Sequence, residues 1–116
     1  MTARALTVAV AALALAGGGR DRVVVQSSAE LMAALARAMP GMTIALAPGT
    51  YEGNLRGADL AGTAEAPIVI EGADAAVPPV IRGGNEGLKL TRVRHITLRG
   101  LVFENQRQNG INIDDG

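Results

Sequence analysis

Residues 87–113 read GLKLTRVRHITLRGLVFENQRQNGINI, and a short pattern occurs at both ends of this stretch. Gly87-Leu88-Lys89-Leu90 is matched 23 residues later by Gly110-Ile111-Asn112-Ile113. In each segment two branched apolar residues flank one polar residue, which is the period of two that is typical of a short β-strand. The sequence therefore predicts that equivalent strands recur at a regular interval along the chain.

The same alternation extends back towards Gly41. Thr43-Ile44-Ala45-Leu46 is similar to Pro67-Ile68-Val69-Ile70, which lies 24 residues later. A period in the low twenties, with several short strands in each period, is typical of a parallel β-solenoid whose coils stack about 4.8 Å apart. The residues predicted to point inward are Ile44, Leu46, Ile68, Ile70, Leu88, Leu90, Ile96, Leu98, Ile111 and Ile113, and those predicted to point outward are Ala45, Lys89, Thr97, Arg99 and Asn112.

One helix is predicted before these strands, after a short strand at Val23-Val24-Val25. Ser27 and Glu30 have the spacing of a capping box, and a row of apolar residues at helical spacing follows. The pattern predicts a helix over residues 28–39 that ends at Pro40-Gly41. We expect this helix to cover the open end of the first coil; the alternative is a helix that binds a partner.

The composition agrees with many short strands and limits the classes of partner. Tyr51 and Phe103 are the only aromatic residues among 116, there are 15 glycines, and the formal net charge is zero. Neutrality gives no general attraction to nucleic acid. The segment from Arg82 to Arg107 contains six Lys or Arg residues and two Glu residues. This excess predicts either a solvated outer face or a weakly basic wall that faces an anionic polymer.

The N-terminal residues have the pattern of a secretory signal. Arg4 precedes an apolar run, and Ala14-Leu15-Ala16 has the small-x-small form of a cleavage site. We expect a signal peptide at residues 1–16, a linker at 17–22, and the β-helix region at 23–116 in a secreted or periplasmic protein. No transmembrane segment is then expected after cleavage; the alternative is a lipid-embedded anchor. Cysteine is absent, so disulfides and thiolate metal sites are excluded.

Several motifs after the predicted helix carry a family resemblance. They are Pro40-Gly41, Gly49-Thr50-Tyr51, the segment GTAEAPI at residues 62–68, and HITLRGLVFEN at residues 95–105. From residue 23 onward the chain resembles the N-terminal region of the pectate-lyase-like right-handed parallel β-helix superfamily. It is especially similar to the alginate lyase and chondroitinase B family. Met42 departs from the pattern, since an Asp is common there in that family.

The resemblance implies an all-β, right-handed parallel β-helix with an N-terminal capping helix and the first two to three coils. The family's catalytic Lys and Arg belong to later coils and match no residue of this sequence, so the catalytic and metal-binding residues stay unknown. We therefore expect a fragment without activity of its own. No cofactor is identifiable, and calcium is left open for a full-length protein.

Lyase chemistry on a uronate sugar needs a base near the C5 proton and a cation that neutralises the carboxylate. The residues of suitable type are Lys89, Arg92, Arg94, His95 and Arg99. The competing interpretation places Lys89 and Arg99 as solvated charges on strands, and His95 as an exposed turn residue.

Other candidate residues are isolated. Asp114-Asp115 has oxygens that suit a hard cation, although a simple turn explains it as well. Glu65 and Glu71 have no recognisable partner for a glycosidase pair. Tyr51 is the one residue suited to stack on a sugar ring, and the alternative is that it packs on the turn after the first strand.

Two functions follow from these observations. The first is a secreted polysaccharide-degrading enzyme, of lyase type and acting on an anionic glycan, whose catalytic coils lie beyond this chain. The second is a noncatalytic β-helix at the cell surface that binds glycan or another partner. Enzymes and noncatalytic proteins can share this N-terminal part of a β-helix, because a fold does not determine a function.

Overall fold

The computed structural model describes residues 21–115, so the predicted signal peptide and residues 17–20 of the predicted linker lie outside the described residues. Strands dominate this part of the chain, and one short helix lies between the first two strands. The elements are β1 (Arg22–Val25), α1 (Ser28–Ala36), β2 (Thr43–Leu46), β3 (Thr50–Glu52), β4 (Leu55–Ala58), β5 (Ile68–Gly72), β6 (Val80–Arg82), β7 (Leu88–Thr91), β8 (Ile96–Arg99), β9 (Val102–Glu104) and β10 (Ile111–Asp114).

The strands form three sheets in which all the pairings are parallel. Sheet A has the order β1-β2-β5-β8, sheet B has β3-β6-β9, and sheet C has β4-β7-β10. Each passage of the chain thus adds one strand to every sheet. Coil 1 consists of β2 to β4, coil 2 of β5 to β7, and coil 3 of β8 to β10. This arrangement agrees with the predicted all-β parallel solenoid.

The register confirms one predicted repeat and corrects the other. Leu88 pairs with Ile111, as the 23-residue repeat predicts. In sheet A, however, Ile44 pairs with Ile70, and the predicted pairing with Ile68 is wrong by two residues. A slip of two residues leaves every side chain on its predicted face, because side chains alternate with a period of two. The alternation in the sequence therefore determined the face of each residue but not its partner.

The inward residues of the three sheets form the core. Ile44, Leu46, Ile68, Ile70, Leu88 and Leu90 are all 2% exposed or less. Ile96 and Leu98 of coil 3 are partly buried against them. Ile111 and Ile113 have the predicted register, but they are 40% and 55% exposed. Their exposure shows that an inward position is buried only when another element, a coil or the helix, lies on each side of it.

Ala45 was predicted to point outward, and in the structure it is nevertheless fully buried. It pairs with Val24 on one side and with Glu71 on the other. Arg22 on β1 reaches Glu71 on β5 with an N–O distance of 3.8 Å, and this ion pair spans β2. The small methyl group is therefore covered by longer side chains on the outer face.

The helix begins as predicted but ends three residues early. The Ser27 hydroxyl accepts a hydrogen bond from the Glu30 N–H, while the Glu30 carboxylate accepts one from the Gln26 N–H. The helix ends at Ala36 instead of Met39, and the Arg37 N–H bonds back to the Ala34 carbonyl. Since Pro40 disfavours a helical conformation at Met39, the last predicted turn cannot continue.

The helix packs on the first coil, where it takes the position of a strand below β3 and β4. Leu31, Ala34 and Leu35 are buried in the core. Beside these apolar residues, the Ser28 hydroxyl accepts a hydrogen bond from the Glu52 N–H, and the Met32 sulfur accepts one from the Arg56 N–H. The helix thus covers both apolar side chains and part of the backbone edge of this coil.

Strand β4 was not predicted, because its sequence Leu-Arg-Gly-Ala has only one large apolar residue. The inward position after Leu55 is Gly57, and a β-carbon there would lie 3.1 Å from both Leu60 and Leu90 side-chain carbons. The neighbours fill the space that a larger residue would need. Because a glycine occupies this inward position, the sequence of β4 lacks the apolar alternation that identifies the other strands.

Candidate functional site

The structure separates the charged residues that the sequence singled out. Arg92, Arg94 and His95 lie in the turn that leads from β7 to β8. Lys89 lies on the outer face of sheet C, and Arg99 lies on the outer face of sheet A. The turn from sheet C to the next strand of sheet A forms a corner of the solenoid. We call this region the corner site and define it by Asp59, Ala61, Arg92, Val93, Arg94 and Asp115.

Equivalent positions of three successive coils meet at the corner site. Asp59 follows β4, Arg92 follows β7 and Asp115 follows β10. The charge therefore alternates from coil to coil along the solenoid. Asp59 and Arg92 have left-handed backbones, with φ angles of 59° and 54°, and His95 has a φ of 53°. Such φ values are uncommon for residues other than glycine, and here they turn the chain sharply out of sheet C.

Asp59 and Arg92 form a bidentate ion pair. Arg92 Nε lies 2.7 Å from Asp59 Oδ1, and its terminal nitrogen lies 3.1 Å from Oδ2. The hydrogen bond from Arg92, supported by the guanidinium charge, holds the pKa of the Asp59 carboxyl below its usual value. The same hydrogen bond raises the pKa of Arg92. Because one edge of the Arg92 guanidinium is used in this pair, its charge is largely neutralised.

A cavity of about 430 Å³ opens between these residues and is accessible from solvent. Val93 is half-buried in it and supplies apolar surface, while Arg94 and Asp115 are exposed. Within residues 21–115, neither Arg94 nor Asp115 has an ion-pair partner. The cavity thus offers one uncompensated cation, one uncompensated carboxylate and an apolar wall.

The backbone of the corner site is held by hydrogen bonds between coils. The Arg94 N–H donates to the Leu60 carbonyl at 3.0 Å, and the Arg94 carbonyl accepts from the Gly62 N–H at 2.9 Å. The Arg92 N–H donates to the Asp114 carbonyl at 2.9 Å. The backbone of the turn is therefore fixed on both sides of Val93.

The predicted lysine and arginine on the strands are engaged in ion pairs. Lys89 lies 3.6 Å from an Asp114 carboxylate oxygen. Arg99 Nε lies 2.8 Å from Glu71, which also pairs with Arg22. Both side chains point outward, as predicted. Since each has a carboxylate partner, their arrangement is that of solvated surface pairs and does not form a catalytic cluster with His95.

The ring of Tyr51 is not accessible for stacking on a sugar. The side chain is 2% exposed, and its hydroxyl lies 2.6 Å from the Ala47 carbonyl and 3.2 Å from the Val25 carbonyl. Burial, followed by the negative charge of Glu30, raises the pKa of Tyr51. The suggestion of a stacking platform is therefore wrong, and the alternative of packing on the turn is confirmed.

The acidic candidates do not form a metal site or a glycosidase pair. Asp114 belongs to β10 and lies near Lys89, so it is not part of a simple turn, whereas Asp115 faces the corner site. Glu65 is exposed in the turn after β4, and Glu71 is held by two arginines. No group of three or more His, Cys, Asp or Glu able to hold a metal occurs in the part of the chain that the structure describes.

Asp59 and Ala61 were missed by the sequence analysis, because they follow the strand that was missed. Their equivalence to Arg92 and Arg94 becomes visible only when β4 is paired with β7. A signal was present in the sequence: Ala58-Asp59-Leu60 and Thr91-Arg92-Val93 both place a charged residue before a branched apolar one.

Comparison with solved structures finds an alginate lyase from Paenibacillus sp. strain FPU-7. The superposition has a TM-score of 0.62 and 32% sequence identity, and it covers 70% of this chain. No protein-family profile and no curated protein sequence matches the chain. The described residues contain no helix that is long and apolar enough to cross a membrane. The chain spans 28% of the length of the similar alginate lyase.

Proposed function

We propose that residues 23–116 form the N-terminal cap and first coils of a right-handed parallel β-helix. Residues 1–16 would be a cleaved signal peptide and residues 17–22 a linker, which places the protein outside the cytoplasm. The parallel register of three sheets supports the first part of this proposal. The basic and apolar N-terminal pattern supports the second.

We propose further that the protein acts on an anionic polysaccharide as a lyase. The observation that carries this function is the similarity to an alginate lyase, with 32% identity and a TM-score of 0.62 over 70% of the chain. Identity at this level, together with the shared fold, is stronger support than the fold alone, which hosts unrelated functions.

The catalytic step of such an enzyme would remove the C5 proton of a uronate and expel the glycosidic oxygen at C4. It needs a base within reach of that proton and a cation on the carboxylate. We place both groups in coils of a longer chain, because this chain spans 28% of the similar enzyme. A calcium ion bound in those coils would be one source of the cation.

The test is an activity assay on the protein as its cells export it. Alginate, pectate and chondroitin are supplied separately, and the absorbance of unsaturated uronic ends is followed. Release of such ends from one of these polymers, with none from heat-inactivated protein, is the expected result. Absence of release from all of them, in a protein whose folding is verified by circular dichroism, would contradict the lyase function.

A noncatalytic glycan-binding β-helix is the second candidate. The pairing of Lys89 with Asp114 and of Arg99 with Glu71 favours it, since both cations are already compensated. Equilibrium binding of the polymers without any release of unsaturated ends would identify this function in the same experiment.

A further inference from the structure

We propose that Met32 is an oxidation site through which peroxide weakens the packing of α1 on coil 1. In the reduced protein the Met32 thioether accepts a hydrogen bond from the backbone N–H of Arg56, with a nitrogen–sulfur distance of 3.2 Å. Conversion to the sulfoxide removes this acceptor and makes the side chain more polar. The inference is independent of the proposed function, because it needs only the contact between the helix and strand β4.

The first argument is the position of the Met32 sulfur at the backbone edge of β4. The helix takes the place of a strand on this side of coil 1, so the N–H groups that point towards it need side-chain acceptors. The Ser28 hydroxyl accepts the Glu52 N–H at 3.0 Å, and the Met32 sulfur accepts the Arg56 N–H. Of these two acceptors, the thioether is the weaker one and the one that a peroxide can change.

The second argument is the accessibility of Met32 from solvent. The residue is 36% exposed, although Leu31 beside it and Leu35 on the next turn are only 2% exposed. A thioether sulfur has two lone pairs, and the hydrogen bond from Arg56 occupies one of them. The second lone pair is therefore available to an oxidant while the helix stays packed on the coil.

The third argument is the chemistry of the product. The sulfur lone pair attacks one oxygen of hydrogen peroxide, so that an S–O bond forms, the O–O bond breaks, and the other oxygen leaves as water with the transferred proton. The oxidised sulfur carries a partial positive charge and is a poor acceptor. The new oxygen lies on the solvent side of the sulfur, and the buried Leu31 and Leu35 hold the helix in place. The Arg56 N–H therefore loses its partner, and the polar sulfoxide favours hydration over packing.

The other methionines of the described residues provide the comparison. Met39 is 66% exposed and should react first. It follows the end of α1 at Ala36, and no hydrogen bond within residues 21–115 has its sulfur as the acceptor. Met42 is 8% exposed and should react last. Oxidation of Met39 should therefore have no effect on the packing of the helix.

The experiment compares the variants Met32→Leu and Met39→Leu of the full chain before and after hydrogen peroxide. Mass spectrometry of peptides verifies full conversion of Met39 in M32L and of Met32 in M39L. The Tm of M39L should fall by about 4–8 °C, because one hydrogen bond of the helix is lost, while the Tm of M32L should be unchanged. Equal falls in both variants, an unchanged or higher Tm in oxidised M39L, or resistance of Met32 to peroxide would each overturn the inference.

Hydrogen exchange of backbone amides locates the change within the fold. After oxidation of M39L, the Arg56 amide should exchange about fivefold faster or more. The Leu55 amide is the control, since it donates to the Gly87 carbonyl of coil 2 at 3.0 Å, and its exchange should change less. Equal acceleration of the two amides would contradict a local effect at the helix.

Reversal provides the final arm of the test. Methionine sulfoxide reductases specific for the two sulfoxide epimers, supplied with a dithiol, return the sulfur to the thioether while the dithiol becomes a disulfide. The Tm and the Arg56 exchange rate of M39L should then return to their values before oxidation. A Tm that stays low after mass spectrometry verifies the reduction of Met32 would show that the damage lies elsewhere, and would contradict the proposal.

Discussion

The two outer strands of sheet C, β4 and β10, have the same structural position at opposite ends of the described stack. Leu55 and Ile111 both pair with Leu88, one from each side. Leu55 is 2% exposed, however, whereas Ile111 is 40% exposed. The difference is that α1 packs against β4, while no element of residues 21–115 covers β10. Burial of an inward residue thus depends on what stacks beside its strand and not on the residue itself.

The largest loss of stability should come from a substitution that disrupts the packing of α1 on coil 1. Leu35→Asp puts a carboxylate among buried apolar groups, and we expect a loss of about 4–5 kcal/mol in the free energy of unfolding. Such a loss would remove much of the stability of a domain of this size. Chemical denaturation followed by circular dichroism measures it.

Ala33→Asp is the matched control for Leu35→Asp, because Ala33 is exposed on the same helix. It should cost less than about 1 kcal/mol through helix propensity. Similar losses in the two variants would show that α1 does not cover the coil through its apolar face.

The next comparison uses two paired residues of the same sheet. Leu88→Ala should cost about 2–5 kcal/mol, since it leaves a cavity between β4 and β10. Ile111→Ala should cost about 1 kcal/mol or less, because its side chain is already 40% exposed. Urea denaturation of both variants gives the two values. If Ile111→Ala were as costly as Leu88→Ala, the described exposure of β10 would be incorrect.

A smaller effect is expected from Tyr51→Phe at the covered end. The hydroxyl donates within 2.6 Å of the Ala47 carbonyl, and its loss leaves that carbonyl without this partner. We expect a loss of about 1–2 kcal/mol in thermal unfolding experiments. An unchanged melting temperature would mean that water replaces the hydroxyl, so that the tyrosine is less enclosed than described.

The smallest effect is a pH dependence at the corner site. Because Arg92 lowers the pKa of Asp59, the stabilisation from this pair is present above the usual aspartate pKa. It is lost as the pH falls through the lowered value. Carboxyl titration by NMR should show the Asp59 midpoint rising in Arg92→Gln and unchanged in Arg99→Gln, whose arginine pairs with Glu71 instead. The same midpoint in all three proteins would exclude the described ion pair.

The sequence predicted the class of fold because alternation and glycine placement are local signals. Leu88-Lys89-Leu90 identifies a strand wherever it lies, and Ser27 with Glu30 identifies the start of a helix. The partner of each strand is not a local property. Ile44 pairs with Ile70 instead of Ile68 because the length of the intervening turns sets the register, and no periodicity within a strand reports that length.

The candidate site was predicted only in part, for the same reason. Arg92 and Arg94 were identified as candidate cations, but their neighbours Asp59 and Asp115 come from other coils. Aligning the three coils requires β4, and this strand cannot be recognised in the sequence because Gly57 occupies one of its inward positions. Whether a charge is compensated can be judged only after this step, as the contrast between Arg92 and Arg94 shows.

The most direct test of the stacked coils is a measurement of contacts between methyl groups by nuclear Overhauser effects. With methyl-labelled isoleucine and leucine, Ile44 should show a stronger contact to Ile70 than to Ile68, and Leu88 should show a contact to Ile111. These pairs lie on adjacent parallel strands about 4.8 Å apart. A stronger contact from Ile44 to Ile68, or no contact between Leu88 and Ile111, would contradict the described register and with it the alignment of the corner site.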